Sequence, residues 1–438
     1  MNLGTRHKFL NPWTLKFLGI KRQYQFDNLL TWRMLHSEEN YKILPYHEIA
    51  KYANQPLREI SLGDLVKNGR VPISTKALFS SANFTLSLLP VRLAYQIKAI
   101  WHLPFITVAN PNISKIYNNY LNSLSTLLSY DFKCITKLDE EFRFTKALIK
   151  LVESHSHNLS ILAQGFLECR KYMSPKQVAK FLDEHLQMRI GTRLIAEQHI
   201  AIHNSFYQQQ VSNSDSHHRI SSRFIGILDT NLKPVNVINS CGSFVSDICE
   251  STYNVRPSWI IDGDSSTTLA FIPGHLQYML TELLKNAFRA TTENDMCQEP
   301  ITITISSVPT TFNNSCQLAS SNNGIYQNKH EYPAFGITIR IRDRGGGISS
   351  EKLPHIWSYS FTTFSEENIR RGRSGRGNEF KVNLDAGLRS DSIAGLGYGL
   401  PLARTYAQYF GGSVCVHSLH GWGCDVYLRL KGLGQINP

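Results

Sequence analysis

The sequence predicts an α plus α/β chain: an N-terminal four-helix bundle over residues 43–207, then an α/β sandwich over residues 218–432. Two textures carry this. From about residue 77 to 207 the apolar residues recur at helical spacing, whereas ITITIS at 301–306 and GITIRIR at 336–342 alternate with the period of two of a half-buried strand. The stretch YQQQVSNSDSHH, 207–218, is polar and aperiodic, and the domain boundary is placed there.

In the first half, Pro90 and Pro104 frame VRLAYQIKAIWHL, where Leu93, Ile97 and Ile100 share one face. Residues 112–130 continue the pattern with Ile113, Tyr117, Tyr120, Leu121 and Leu124. A longer helix is expected from Leu138 to about Met173, and Ser174 with Pro175 supplies the N-cap and first-turn proline of another that runs to His203. Four long amphipathic helices with short connections make a bundle.

In the second half a helix is expected from His275 to about Thr291. Leu276, Met279, Leu280, Leu283, Leu284 and Ala287 form its apolar stripe, and Tyr278, Glu282, Lys285, Asn286 and Arg289 lie along another face. The strands at 301 and 336 are separated by a Ser/Asn-rich stretch from Val308 to Phe335, expected to be a mobile surface insertion. SVCVHS at 413 and CDVYLRL at 424 flank a glycine turn and read as a terminal hairpin.

Of the net charge of +12, five units come from Arg6, Lys8, Lys16, Lys21 and Arg22, ahead of the first acid, Asp27. Residues 1–26 therefore read as an organellar transit peptide, and the +7 left for so long a chain gives no nucleic-acid footprint. No uncharged apolar run approaches the roughly 18 residues of a membrane span. The eight cysteines are scattered without a CxxC pair, which argues against a zinc site or a disulfide scaffold.

Two glycine motifs carry the chemistry. DRGGGI begins at Asp343, directly after a strand, where a carboxylate can accept a hydrogen bond from an exocyclic amine while bare backbone lets a planar base approach. GLGYGLP, 395–401, sets alternate glycines before a helix, so that several N–H groups at its positive end can meet phosphates. His155, in contrast, lies within an apolar stripe of Leu148, Leu151, Val152, Leu159 and Leu162 and reads as a packed side chain.

In this order the motifs resemble the ATP-binding fold of histidine kinases, type II topoisomerases and the Hsp90 and MutL ATPases, so the second half is expected to be a histidine-kinase-like ATP-binding domain. Within that group ELLKNAFRAT, DRGGGI, SFTT, GLGYGLPLARTYAQYFGG and GWGCDVYLRL are similar to the mitochondrial 2-oxoacid dehydrogenase kinases, which comprise the pyruvate and branched-chain dehydrogenase kinases. LPVRLAYQIKAIWHLPFI from Leu89, the segment from His155 to Gly165 and FLDEHLQMRIGTRLIAEQHIAIH from Phe181 extend the likeness over about residues 45–430.

The resemblance implies that Asn286 holds Mg²⁺ bridging the ATP phosphates and that Glu282 is the general base for a substrate serine. Asp343 would recognise adenine, with Gly345 and Gly347 shaping its pocket. Thr362 and Thr363 would open a nucleotide lid of about Tyr359 to Ala394, and Gly395, Leu396, Gly397, Tyr398, Gly399 and Leu400 would cradle the triphosphate. Lys285 and Arg289 are expected to contact phosphates or lid, or else to form surface ion pairs.

For the whole chain the resemblance implies a homodimeric protein serine kinase of the mitochondrial matrix. It would inactivate the decarboxylase α subunit of the pyruvate dehydrogenase complex, docking through its helical half on the lipoyl-bearing core. The same reaction on the branched-chain complex, a histidine kinase and a non-catalytic nucleotide-gated docking protein are the rival readings. Three departures stand out: Tyr278 where many pyruvate dehydrogenase kinases carry histidine, Cys424 where GxGT places a threonine, and a chain end, GLGQINP, without the Asp-Trp tail of some members.

Overall fold

A computed structural model describes residues 44–67, 69–130, 134–212, 223–308, 334–359 and 397–433. The 1–26 leader, most of the 308–335 insertion, nearly all of the lid, and Thr362, Thr363, Gly395 and Leu396 lie outside these residues.

The first half consists of α1 (Tyr46–Ala53), α2 (Leu62–Val66), α3 (Thr75–Trp101), α4 (Phe105–Val108), α5 (Pro111–Leu128), α6 (Leu138–Ser154), α7 (Asn158–Glu168) and α8 (Pro175–Ser212). Helix α3 packs on α5 and α8, α6 on α8, and α7 on α5.

Three expectations are corrected. Pro90 does not open a helix but lies inside α3, which begins at Thr75 under an N-cap bond from Ala77 N to Ser74 Oγ. Proline removes one helical N–H, but Leu89, Val91 and Leu93 are all buried around it, and that packing holds the helix together. The helix expected from Leu138 to Met173 breaks into α6 and α7 at His155–His157. Helix α8 continues beyond His203 to Ser212, so Tyr207, placed at the start of the linker, is helical.

The start of α8 is as expected. Gln177 N donates to Ser174 Oγ at 3.3 Å while Ser174 N donates to Gln177 Oε1 at 2.9 Å, a reciprocal capping box. Ser174→Ala should cost about 1 kcal/mol, read as a lower urea midpoint at unchanged slope.

A buried polar cluster ties α6 to α8. Thr145 Oγ1 donates to Glu141 Oε1 at 2.8 Å, and His203 Nδ1 lies 2.8 Å from the same oxygen. Burial alone would raise the Glu141 pKa, but hydrogen bonds from His199, His203 and Thr145 outweigh it and hold the carboxyl at about 2, below its ordinary 4.5. The folded value lies below the unfolded one, so this stabilisation is complete above pH 4.5 and fades as pH falls toward 2. Urea midpoints of wild type and Glu141→Gln should therefore differ most near neutrality and converge in acid.

The second half comprises β1 (Phe224–Ile225), β2 (Leu228–Leu232), α9 (Pro234–Tyr253), β3 (Trp259–Gly263), β4 (Leu269–Phe271), α10 (Pro273–Glu293), β5 (Ile301–Val308), β6 (Ala334–Arg342), α11 (Gly399–Tyr409), β7 (Ser413–Leu419) and β8 (Gly423–Leu433). The sheet runs β1-β2-β4-β8-β6-β5-β3, with β7 also on β8, and β3–β5 is a parallel pair in this otherwise antiparallel sheet. Its register sets Ile303 opposite Ile341 and Ile339 opposite Leu428, all fully buried. Their shared face is what an alternating ITI/ITIRI pattern requires.

Helix α10 packs on α9, α11 and β6, and α11 in turn touches β7 and α8. One apolar cluster runs from Ile49 to Leu430, so the helical and sheet halves share a core at the α8–α11 junction.

Candidate nucleotide site

Two residue clusters, one at the middle of α10 and one at its C-terminal end, make up the candidate site. Pro273 at the first turn starts this helix with a φ already suited to it, and Leu276, Met279, Leu280, Leu283 and Leu284 bury the opposite stripe. Tyr278 departs from its expected place on the polar face: it is buried, its ring 4.8 Å from that of Tyr406 on α11.

At the first cluster, Glu282 is only 7% exposed. Its Oε1 accepts from Lys285 Nζ at 2.6 Å, one turn along. Its Oε2 lies 2.2 Å from where a Cβ on Gly399 would stand, so the carboxylate rests on the first residue of α11. A Cβ at 399 would have to push the end of the Glu282 side chain aside, and Gly397 is needed for a φ of +73° in the turn before it. Tyr398 between them is buried, its ring packed 5.3 Å from Tyr359. Asn286 is exposed, and Arg289 faces Glu293 at 3.5 Å as a surface pair.

At the second cluster, Asp343 is 5% exposed, and its Oδ1 accepts from Gly345 N at 2.8 Å and Cys424 N at 3.2 Å. Burial pushes the Asp343 pKa up, and the two backbone N–H groups pull against that shift. With Oδ1 held by both, Oδ2 is the oxygen left for a ligand.

The loop glycines are explained by close packing. A Cβ on Gly345 would stand 2.4 Å from Ala290 Cβ of α10, and one on Gly347, where φ is +69°, 2.3 Å from Leu419 O. Gly345 and Gly347 thus let the loop seat against α10 and the terminal hairpin. Asn294 Nδ2 donates to Gly345 O at 2.9 Å and fastens the same seat.

The segment 59–229 matches the family model described as mitochondrial branched-chain alpha-ketoacid dehydrogenase kinase, and 272–433 matches that of the histidine kinase-, DNA gyrase B- and HSP90-like ATPases. The mitochondrial pyruvate dehydrogenase (acetyl-transferring) kinase 1 of Saccharomyces cerevisiae is 28% identical over 94% of this chain and 93% of its own length. The mitochondrial enzyme of that name from Arabidopsis thaliana is 28% identical over 89% and 94%, and human isozyme 1 is 26% identical over 88% and 79%.

The chain belongs to the mitochondrial 2-oxoacid dehydrogenase kinase family.

Its second half is accordingly an ATP-binding domain of the histidine kinase type. Of the sequence-derived site residues, Glu282, Lys285 and Gly399 meet in one place, and Asp343, Gly345 and Gly347 meet in another, about two turns of α10 away. Sequence reasoning missed the Cys424 N–H as a holder of Asp343. It treated position 424 only as a lost hydroxyl, yet the thiol lies 3.6 Å from Ser418 Oγ, whose own bond with Ile348 N (2.6 Å) pins the loop. Asn294 was also missed, although an asparagine just past a helix end is a common capping signal.

Proposed function

We propose that this chain is an ATP-dependent protein serine kinase that phosphorylates and inactivates the decarboxylase α subunit of the pyruvate dehydrogenase complex in the mitochondrial matrix. The observation that carries this reading is the meeting of a carboxylate, Glu282, with the start of α11, where the glycine loop would deliver phosphates. Phosphoryl transfer needs little beyond positioning, charge neutralisation and a base, and all three stand on α10 and α11.

In the proposed reaction Asp343 Oδ2 accepts from the adenine amino group, and the N–H groups before α11 bind the phosphates. The serine oxygen attacks the terminal phosphorus, its bond to the ADP oxygen breaks, and the serine proton passes to the Glu282 carboxylate. Asn286 offers an exposed amide oxygen one turn from Glu282, which fits Mg²⁺, an ion that takes oxygen ligands and completes its shell with water and phosphate. Bound there it would neutralise phosphate charge.

Relatives aligned over nearly their whole length are named pyruvate dehydrogenase kinases, and this favours the pyruvate complex. The branched-chain complex is the second reading, favoured by the name of the model that matches 59–229 and by Tyr278. Docking of the helical half on lipoyl-bearing domains and a homodimer joined through the terminal sheet belong to the same proposal. Among the described residues no helix is long and apolar enough to cross a membrane.

The histidine-kinase reading is disfavoured by His155. Its Nε2 is bonded to Ser123 Oγ at 2.9 Å, its ring stands edge-on to Tyr120, and burial together with Arg189 pushes its pKa down to about 4. The deciding experiment incubates the protein and Mg-ATP separately with purified pyruvate and branched-chain complexes. Loss of pyruvate-complex activity with stable phosphoserine is expected; an acid-labile phosphate on the kinase with neither complex inactivated would overturn the reading.

A further inference from the structure

Glu282 lies between two positive features. One is the Lys285 ammonium, 2.6 Å from Oε1, in an ion pair whose side chains are 9% and 17% exposed. The other is the first turn of α11, an 11-residue helix whose N-cap residue, Tyr398, makes no side-chain capping bond. Oε2 rests against Gly399 at that turn, where the N–H groups of a helix start concentrate partial positive charge.

A primary ammonium and a glycine-led helix start are also what the terminal phosphates of a nucleotide need. Two anions cannot share them at close range in a shielded site without strong repulsion.

We infer that Glu282 acts as a counter-anion within the phosphate site, and that an arriving triphosphate displaces it from Lys285 and from the start of α11. This rests on the assignment of the site to ATP. The consequence is ordered: the base is held by Lys285 and by the helix, and it becomes available to a substrate hydroxyl only once phosphates have taken both partners. Gly399 is then a positioning residue twice over, because the absence of a Cβ lets Glu282 occupy the phosphate position and lets the phosphates replace it.

The inference predicts an affinity effect opposite in sign to what loss of a favourable contact would give. Removing the Glu282 charge removes a competitor, so Glu282→Gln should bind Mg-ATP more tightly. Adenosine reaches only the Asp343 end and should be indifferent. The experiment is equilibrium binding of Mg-ATP and of adenosine to the full chain, wild type and Glu282→Gln, read as the ratio of the two affinities, which cancels any general loss of folded protein.

The ratio should rise at least about fivefold in Glu282→Gln, the low end of ordinary coupling between competing sites. The rise should shrink when Lys285→Met is added, because the contested partner is then gone. An unchanged or lower ratio in Glu282→Gln would overturn the inference, as would a full rise in the double variant. Because the readout is binding, it is separate from the kinase reading: failure to phosphorylate either complex sinks that reading while a raised ratio still upholds this one.

Discussion

Glu282→Gln should lower the rate of serine phosphorylation by about 10²–10⁴-fold, the contribution usual for a positioned general base. Glutamine keeps the length and shape of the side chain, so it can still rest on Gly399 and accept from Lys285 Nζ through its amide oxygen, but it cannot take up the serine proton at neutral pH. The fold should survive, since the apolar stripe of α10 is formed by other residues, among them Leu283 and Leu284. The measurement is the initial rate of phosphate incorporation into the purified pyruvate complex at saturating Mg-ATP. A variant retaining more than roughly a tenth of wild-type rate would remove Glu282 from the role of base, given that range.

The candidate site face of α10 was legible because the information is local. A period of 3.6 separates Glu282 and Asn286 by one turn on any helix, and glycine motifs mark strand and helix ends wherever they occur. What that spacing could not give is depth. Tyr278 shares the spacing of Glu282 and Asn286, but Tyr406 of α11 buries it, and α11 is more than a hundred residues away in sequence.

The same limit applies to the glycines. That Gly345 yields to Ala290 and Gly399 to Glu282 is a fact of tertiary approach, although the need for small residues was visible. In the first half the apolar period runs unbroken from Leu148 to Leu162, so the break at His155–His157 left no trace in it. Pro90 misled for a related reason, since the rule that proline starts helices weighs one lost hydrogen bond and not the burial of Leu89, Val91 and Leu93. Strands β1 and β4 are only two and three residues long, too short for any alternation to register.

Asp343→Asn should weaken ATP binding by about 100-fold or more while leaving the protein folded, because it inverts one hydrogen bond and keeps two. The asparagine oxygen can replace Oδ1 and go on accepting from Gly345 N and Cys424 N, so the loop keeps its anchor to α10 and the hairpin. The Oδ2 position then becomes an NH₂ group, which meets the amino group of adenine donor to donor in a buried place. A site built to pair with a ligand polar group discriminates by factors of roughly 10⁴ when that pairing fails, and 100-fold is the lower bound expected once water is readmitted. The check is the rise in thermal midpoint produced by Mg-ATP, which should be large for wild type and nearly absent for Asp343→Asn at the same nucleotide concentration, with equal midpoints in its absence. Asp343→Ala should behave differently, losing the unliganded midpoint as well, because Gly345 N and Cys424 N would both be left unpaired. If Asp343→Asn binds Mg-ATP like wild type, adenine is recognised elsewhere, and the DRGGGI loop serves only to seat the terminal hairpin on α10.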